Sequence, residues 1–265
     1  MSADLDLIAQ AAREAGEIAV ARRRLGLKID SKPGGSPVTN GDLAVDAFLT
    51  ERLRGARPDY GWLSEEAPDS AERLTKSRVF MIDPIDGTSA YMKDRAWWSV
   101  SIAVVEDGRP IAGVVYAPDP DEFYEAAAGE GARLNGKPIT VTNRARIEDC
   151  AMLGEARMFA REGWSPPWPP MRIEARNSVA YRMCLVASGA FDACIALSAK
   201  HDWDIAAADL IVAEAGGVST DHLGAPFDYN LTAARQKSLV CAGPAMHPLL
   251  IDRVGHIEIR KPIQP

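Results

Sequence analysis

In MSADLDLIAQAAREAGEIAVARRRLG, apolar residues return every three or four positions, acids come first and arginines last, which predicts a helix over about residues 4–24. A similar pattern covers about 40–55. The period then shortens: RVFMID (78–83), WWSVSIAVVEDG (97–108) and PIAGVVYAP (110–118) read as strands, with EDGRP as the hairpin turn between the last two. These are helices followed by an antiparallel sheet. From about Arg146 the pattern alternates instead. A helix in SVAYRMCLVASG (178–189), a strand in FDACIAL (191–197), a helix in WDIAAADLIVAEAGG (203–217), a strand in SLVCAG (238–243) and a closing helix predict an α/β layer. The chain thus divides into an N-terminal α+β half, 1–145, and a C-terminal α/β half, 146–265. The Pro- and Trp-rich REGWSPPWPPMR (161–172) predicts a surface loop, and no internal repeat is present.

Composition narrows the partners. The chain has 265 residues, 47% of them hydrophobic, so it can bury a large core, and its net charge of −7 argues against nucleic-acid polymers and anionic membranes as main partners, since both reward clustered Lys and Arg. No run has the length of a membrane span, and the N-terminal helix has no continuous apolar core like that of a signal peptide. Cys150, Cys184, Cys194 and Cys241 form no CxxC pair and none of the close spacings of a zinc site, which predicts reduced thiols in a cytoplasmic protein. The four histidines are scattered, and only His201 lies beside a motif.

The chemistry concentrates in VFMIDPIDGTSAY (79–91). Four apolar residues form a buried strand, Pro84 biases Asp83 toward extended backbone, and Gly87 allows a tight turn, so Asp83 and Asp86 face one point at a strand end. Two like charges about 4 Å apart repel by roughly 4 kcal/mol at an effective dielectric of 20. A divalent cation removes that cost, and carboxylate oxygens with no neighbouring His or Cys point to Mg²⁺ or Mn²⁺. Further acids stand in SPVTNGDLAVD (Asp42), GWLSEEAP (Glu65, Glu66) and HDWDIAAADL (Asp202, Asp204). Taken singly, Glu65 and Glu66 read as a solvated turn and Asp204 as a helix N-cap.

DPIDGT, the SEE upstream of it and WDIAAADLIVAEAGG downstream resemble, in order and spacing, the three motifs of the inositol monophosphatase family within the lithium-sensitive sugar-phosphatase superfamily. The resemblance implies a layered αβαβα sandwich, often a homodimer, with the site between the halves. It implies Mg²⁺ as cofactor, two or three ions: Glu65, Asp83 and the Ile85 carbonyl hold one, Asp83, Asp86 and Asp204 another, and Glu65 also serves a weaker third, which counts it with Asp42 and Thr88 among the catalytic residues. The N–H groups of Gly87 and Thr88 would receive the phosphate, and Thr88 on Asp42 would orient the attacking water. Phosphate monoester hydrolysis is so slow in water that charge neutralisation and positioning must supply the catalysis, with no covalent nucleophile.

Departures bear on the substrate. Ser64 stands where relatives usually have Gly, and Lys32 stands where relatives place a lysine near the phosphate, while Gly34 replaces an acid common there. In DACIALSAKHDWD, Ala196 and Leu197 occupy the place of the glutamate that grips inositol hydroxyls, which leaves Asn177 or Ser178 as alternative substrate contacts. SPVT is shared with phosphatases of adenosine 3′,5′-bisphosphate and of histidinol phosphate. The expected partner is therefore a small phosphate ester, with these two activities as alternatives to inositol phosphate. An inactive metal-binding regulatory homologue is disfavoured because every metal-carrying acid and Thr88 are present. A calcium module is disfavoured because no D-x-D-x-D-G loop occurs, PDPDEF (118–123) reading as a turn between strands. Tyr91, Lys93 and Arg95 read as contacts for an anionic substrate, Cys184 as packing, Ser178 otherwise as polar rim, and the pair Trp97 and Trp98 as packing or a dimer contact.

Overall fold

The computed structural model describes residues 3–32 and 35–259; Gly34 lies outside them. Helix α1 (Ala3–Leu25) leads through a small hairpin, β1 (Ile29–Ser31) and β2 (Pro37–Thr39), to α2 (Asn40–Ala56). A seven-stranded sheet follows in sequence order: β3 (Gly61–Ser64), β4 (Arg78–Asp86), β5 (Ser99–Glu106), β6 (Arg109–Ala117), β7 (Glu122–Ala127), β8 (Ala132–Leu134) and β9 (Lys137–Pro138), with the short α3 (Thr88–Met92) after β4. The remainder comprises β10 (Ala151–Leu153), α4 (Ala156–Phe159), β11 (Arg172–Glu174), α5 (Val179–Ala187), β12 (Ala193–Ala196), β13 (Lys200–His201), α6 (Asp202–Glu214), β14 (Val218–Thr220), β15 (Arg235–Gln236), β16 (Leu239–Ala242) and α7 (His247–Val254). Its five-stranded sheet has the order β11-β10-β12-β16-β14.

Side-chain alternation builds the layers. On β4, Phe80 and Ile82 join Leu5, Ile8 and Leu49 of α1 and α2, while Val79 and Met81 join Met183 and Ile205 of α5 and α6 on the other face. On β12, Cys194 turns to that same helical layer, while Ala193 and Ile195 pack against Leu250 of α7. The result is the expected αβαβα order. Every residue of α5 is buried, and α6 buries residues all round its axis, as a helix between two sheets must.

Several boundaries differ from the sequence expectation. β4 continues past Asp83 to Asp86 through a register shift, because Pro84 has no N–H for the ladder and the strand bulges there. The sheet is not wholly antiparallel: β3 pairs with β4 in parallel. Trp97 and Trp98 precede β5, since the last cross-strand pair is Asp86 with Ser99 and the neighbouring chain then turns away at Gly87. Trp98 is core, its ring centroid 4.9 Å from that of Tyr91 and its Nε1 donating to Asp119 at 2.7 Å, whereas Trp97 is half-buried with the Arg176 guanidinium 4.5 Å from its centroid. The hairpin turn is as expected, with Asp107 and Gly108 both at positive φ. The 161–172 loop is pinned through its tryptophans, Trp168 lying 5.1 Å from Phe159. All four cysteines are free and buried, and among the described residues no helix is long and apolar enough to cross a membrane.

Candidate active site

The bulged end of β4 sets two acids at different depths. Asp83 accepts the N–H of Ile85 at 3.0 Å. Asp86 reaches across to α5, one oxygen accepting from Ser178 Oγ at 2.5 Å and from the Ala180 N–H at 2.7 Å. Ser178 is fully buried, caps α5 by accepting the Tyr181 N–H at 2.9 Å, and meets Ser99 at 3.0 Å. Its hydroxyl therefore holds Asp86 and the helix start.

Glu65 follows β3 and is tied to β4 by its N–H on the Ile82 carbonyl, 3.1 Å. Lys32 donates to Glu65 at 2.8 Å and to Glu66 at 2.7 Å. Asp204 is the third residue of α6 and accepts the N–H of His201 at 2.8 Å, so His201 is the N-cap and Asp204 the reciprocal partner, not the cap itself. Asp202 is buried under Asn230 N–H and Gln236, away from the pocket. Thr88 Oγ1 lies 3.3 Å from Asp42 Oδ1 and 3.3 Å from the Ile85 carbonyl. The other Asp42 oxygen accepts from the Thr39 N–H and hydroxyl, closing the capping box that starts α2.

Gly87 joins these parts. Its φ is +95°, and an added Cβ would meet the Trp97 carbonyl at 2.9 Å and the Ser178 nitrogen at 3.0 Å. No other residue type fits that crossing without displacing the chain.

A pocket of about 220 Å³ gathers Glu65, Asp83, Asp86, Asp204, Gly87, Thr88 and Asn177, together with Val179, Arg182 and Lys200. Asp42, Ile85, Lys32 and Ser178 are not among its lining residues. Tyr91 is not a substrate contact: it is fully buried, its hydroxyl donating to the Ala19 carbonyl at 2.7 Å, while Lys93 and Arg95 are exposed and outside the pocket lining. Arg182 and Lys200 were not anticipated. The available signal was a single arginine inside the otherwise apolar VAYRMCLVA, a position where a charge is costly unless a site uses it.

The electrostatics are those of acids facing acids. Burial, then Glu65, Asp86 and Asp204, push Asp83 well above the usual carboxylate range. Burial raises Asp86 to about 6 against the pull of Ser178 and the α5 N–H groups, and burial with Asp86 raises Asp204 to about 8. Burial carries Glu66 to about 7 despite Lys32. Among the described residues no three His, Cys, Asp or Glu side chains are drawn tightly enough together to hold an ion as they stand. The reason is visible in the bonds above: each carboxylate leans on a nearby donor. The donor set nevertheless suits a hard cation, because it offers only carboxylate and carbonyl oxygens whose mutual repulsion an ion would relieve.

A pocket that gathers four carboxylates beside a turn opening into a helix belongs to the class of metal-dependent phosphate monoester hydrolases. The model of the inositol monophosphatase family matches residues 3–258, and the chain belongs to that family. It is 33% identical over 235 residues to the Nus factor SuhB of Pasteurella multocida (84% of this chain, 87% of the relative) and 32% identical over 233 residues to the 3′(2′),5′-bisphosphate nucleotidase CysQ of Escherichia coli K12 (85% and 93%). The solved inositol monophosphatase of Thermotoga maritima superposes with a TM-score of 0.83 at 28% identity, covering 96% of this chain and 97% of that one.

Proposed function

We propose that this phosphatase hydrolyses small phosphate monoesters with Mg²⁺ held by Glu65, Asp83, Asp86, Asp204 and the Ile85 carbonyl. The observation that carries the reading is the convergence of four acids from three separate stretches of chain on one pocket with Gly87 and Thr88. Residues 1–145 supply all of these acids but Asp204, which comes from 146–265. When bound, two or three Mg²⁺ ions, or Mn²⁺, supply charge neutralisation and an acidified water. The chain's own residues do the positioning. Gly87 and Thr88 present first-turn N–H groups to the phosphate. Thr88, donating its hydroxyl to Asp42 Oδ1 at 3.3 Å, aims the attacking water, and Asp42, raised by burial and restrained by Thr39, accepts that bond. Lys32 steadies Glu65.

Activity on a panel of phosphate esters with Mg²⁺, without it and with added lithium tests the reading; hydrolysis indifferent to the metal defeats it. Thr88→Val keeps the shape and removes the hydroxyl, so kcat is expected to fall by about a hundredfold with little change in melting temperature. Unchanged kcat excludes Thr88 from water positioning. A cytoplasmic homodimer completes the proposal, supported by the family resemblance and four free thiols; sedimentation at micromolar concentration checks the dimer.

Ala196 and Leu197 line an apolar wall in place of an acid that would hold ring hydroxyls. Apolar walls discriminate weakly, so inositol 1-phosphate is expected to be turned over within about tenfold of glycerol 2-phosphate in kcat/KM. A preference of several orders of magnitude for the inositol ester would mean that another group, such as the exposed Asn177, grips the ring.

A further inference from the structure

Ser64 ends β3 and is only 2% exposed, so its hydroxyl has to find its partners inside the protein. It finds two. The hydroxyl donates to Asp46 Oδ1 on α2 at 2.5 Å and accepts the Glu66 N–H at 3.3 Å, the two-residue span of a serine turn. Glu65 lies within that span. On the strand side, Ser64 pairs with Ile82 of β4, and the Glu65 N–H donates to the Ile82 carbonyl at 3.1 Å. The backbone to either side of the Glu65 carboxylate is therefore fixed, to β4 by the ladder and to α2 by one hydroxyl.

That restraint acts on a side chain with competing demands. Lys32, reaching from the β1–β2 hairpin, donates to Glu65 at 2.8 Å and to Glu66 at 2.7 Å, while Glu65 also lines the acid pocket with Asp83. An ion has to win Glu65 from an ammonium group. It does so at lower cost when the turn is already in place, because none of its binding free energy then goes into ordering the chain. The partner on α2 is equally committed: among the described residues, Ser64 is the one hydrogen-bond partner of the Asp46 side chain. Glycine or alanine at position 64 could make neither bond.

We propose that Ser64 is a positioning residue: through its hydroxyl, Asp46 on α2 fixes the turn that carries Glu65, and thereby sets the affinity for the divalent ion that Glu65, Asp83 and the Ile85 carbonyl hold. The inference rests on the phosphatase reading and its ion site. It extends that site to Ser64 and Asp46, neither of which lines the pocket.

Calorimetric titration of the ester-free protein with Mg²⁺ reads the effect without turnover. Ser64→Ala is expected to raise the Mg²⁺ Kd by about tenfold, the scale seen when a group that orients a metal ligand is removed. Asp46→Ala should raise it somewhat less, since Ser64 still accepts the Glu66 N–H. The double variant should bind no more weakly than Ser64→Ala, because both substitutions break the same bond. Asp46→Asn loses the charge but keeps an acceptor oxygen for Ser64, so it is expected to retain the wild-type Kd. An unchanged Kd in Ser64→Ala, additive losses in the double variant, or Asp46→Asn binding as weakly as Asp46→Ala overturns the proposal; the last result would make Asp46 a matter of charge alone. A cooperative melt in EDTA checks each variant for folding, and should Ser64→Ala not fold, the contrast between the two Asp46 variants decides. If the wild-type protein itself binds no Mg²⁺, it is the ion assignment that fails, and hydrogen exchange of the metal-free proteins then decides the tether by itself. The Glu66 amide of Ser64→Ala is expected to exchange at least about tenfold faster than in the wild type, and equal rates refute the tether.

Discussion

Asp86→Asn is expected to reduce phosphatase activity at least about a thousandfold, some 4 kcal/mol of transition-state stabilisation, while the protein stays folded. The substitution is nearly isosteric, and a single Asp86 oxygen accepts from both Ser178 and Ala180. An asparagine carbonyl can keep both bonds and the start of α5 with them. What it removes is the negative charge that Asp83 and Asp204 each feel. The variant is thus expected to melt at or slightly above the wild-type temperature in EDTA, and to respond less to added Mg²⁺. Wild-type turnover by a well-folded Asp86→Asn protein would remove Asp86 from the proposed ion site.

Saturating Mg²⁺ is expected to raise the melting temperature by about 5–10 °C at a hundredfold excess over its Kd, corresponding to about 2.7 kcal/mol of linkage, and EDTA to reverse it. The pH dependence sharpens the assignment. An unfolded aspartate loses its proton near pH ~3.9, whereas folded Asp86 holds one to about 6 and Asp204 to about 8. Between those limits the folded state binds more protons than the unfolded one, so the stability these groups lend is full below about pH 4 and is lost as the pH rises through 6 to 8. The metal-free protein should therefore weaken across that range, and the Mg²⁺-induced shift should grow. A melting temperature indifferent to Mg²⁺ at pH 8 would count against a site built from Glu65, Asp83, Asp86 and Asp204.

The acids were legible because their neighbours in sequence are also their geometry. Asp83, Pro84, Asp86 and Gly87 act within one bulged strand end, and local rules for proline and glycine suffice to place them. The main helices followed from periodicity for a similar reason, whereas the layer order came from the family resemblance; in the structure the alternation of Val79, Phe80, Met81 and Ile82 on β4 divides those residues between the two faces. What escaped was chemistry that depends on distant pairing. Ser178 reads as an ordinary polar residue until Asp86, 92 positions away, lands on it. Arg182 looks like an oddity in an apolar helix until the acid pocket opens beside it. Tyr91 lies beside the metal-binding words, and only the packing of α1 shows that its hydroxyl is spent on Ala19. Strand ends slipped where a partner strand runs out, as before β5, because the end of a ladder belongs to two segments at once.

The central helical layer has a consequence for how the protein comes into being. The sheet that carries Asp83 and Asp86 is complete once residue 138 has been made, but α5 and α6, which cover its inner face, come later in the chain. At about 5–20 residues per second of synthesis, an unfinished molecule leaves Val79, Met81, Val105 and Val115 uncovered for several seconds. During that interval it is a target for chaperones and for its own neighbours on a polysome. A ribosome that stalls after the first sheet yields an aggregation hazard and no phosphatase, so slow codons between the two sheets should lower soluble yield without altering a single residue.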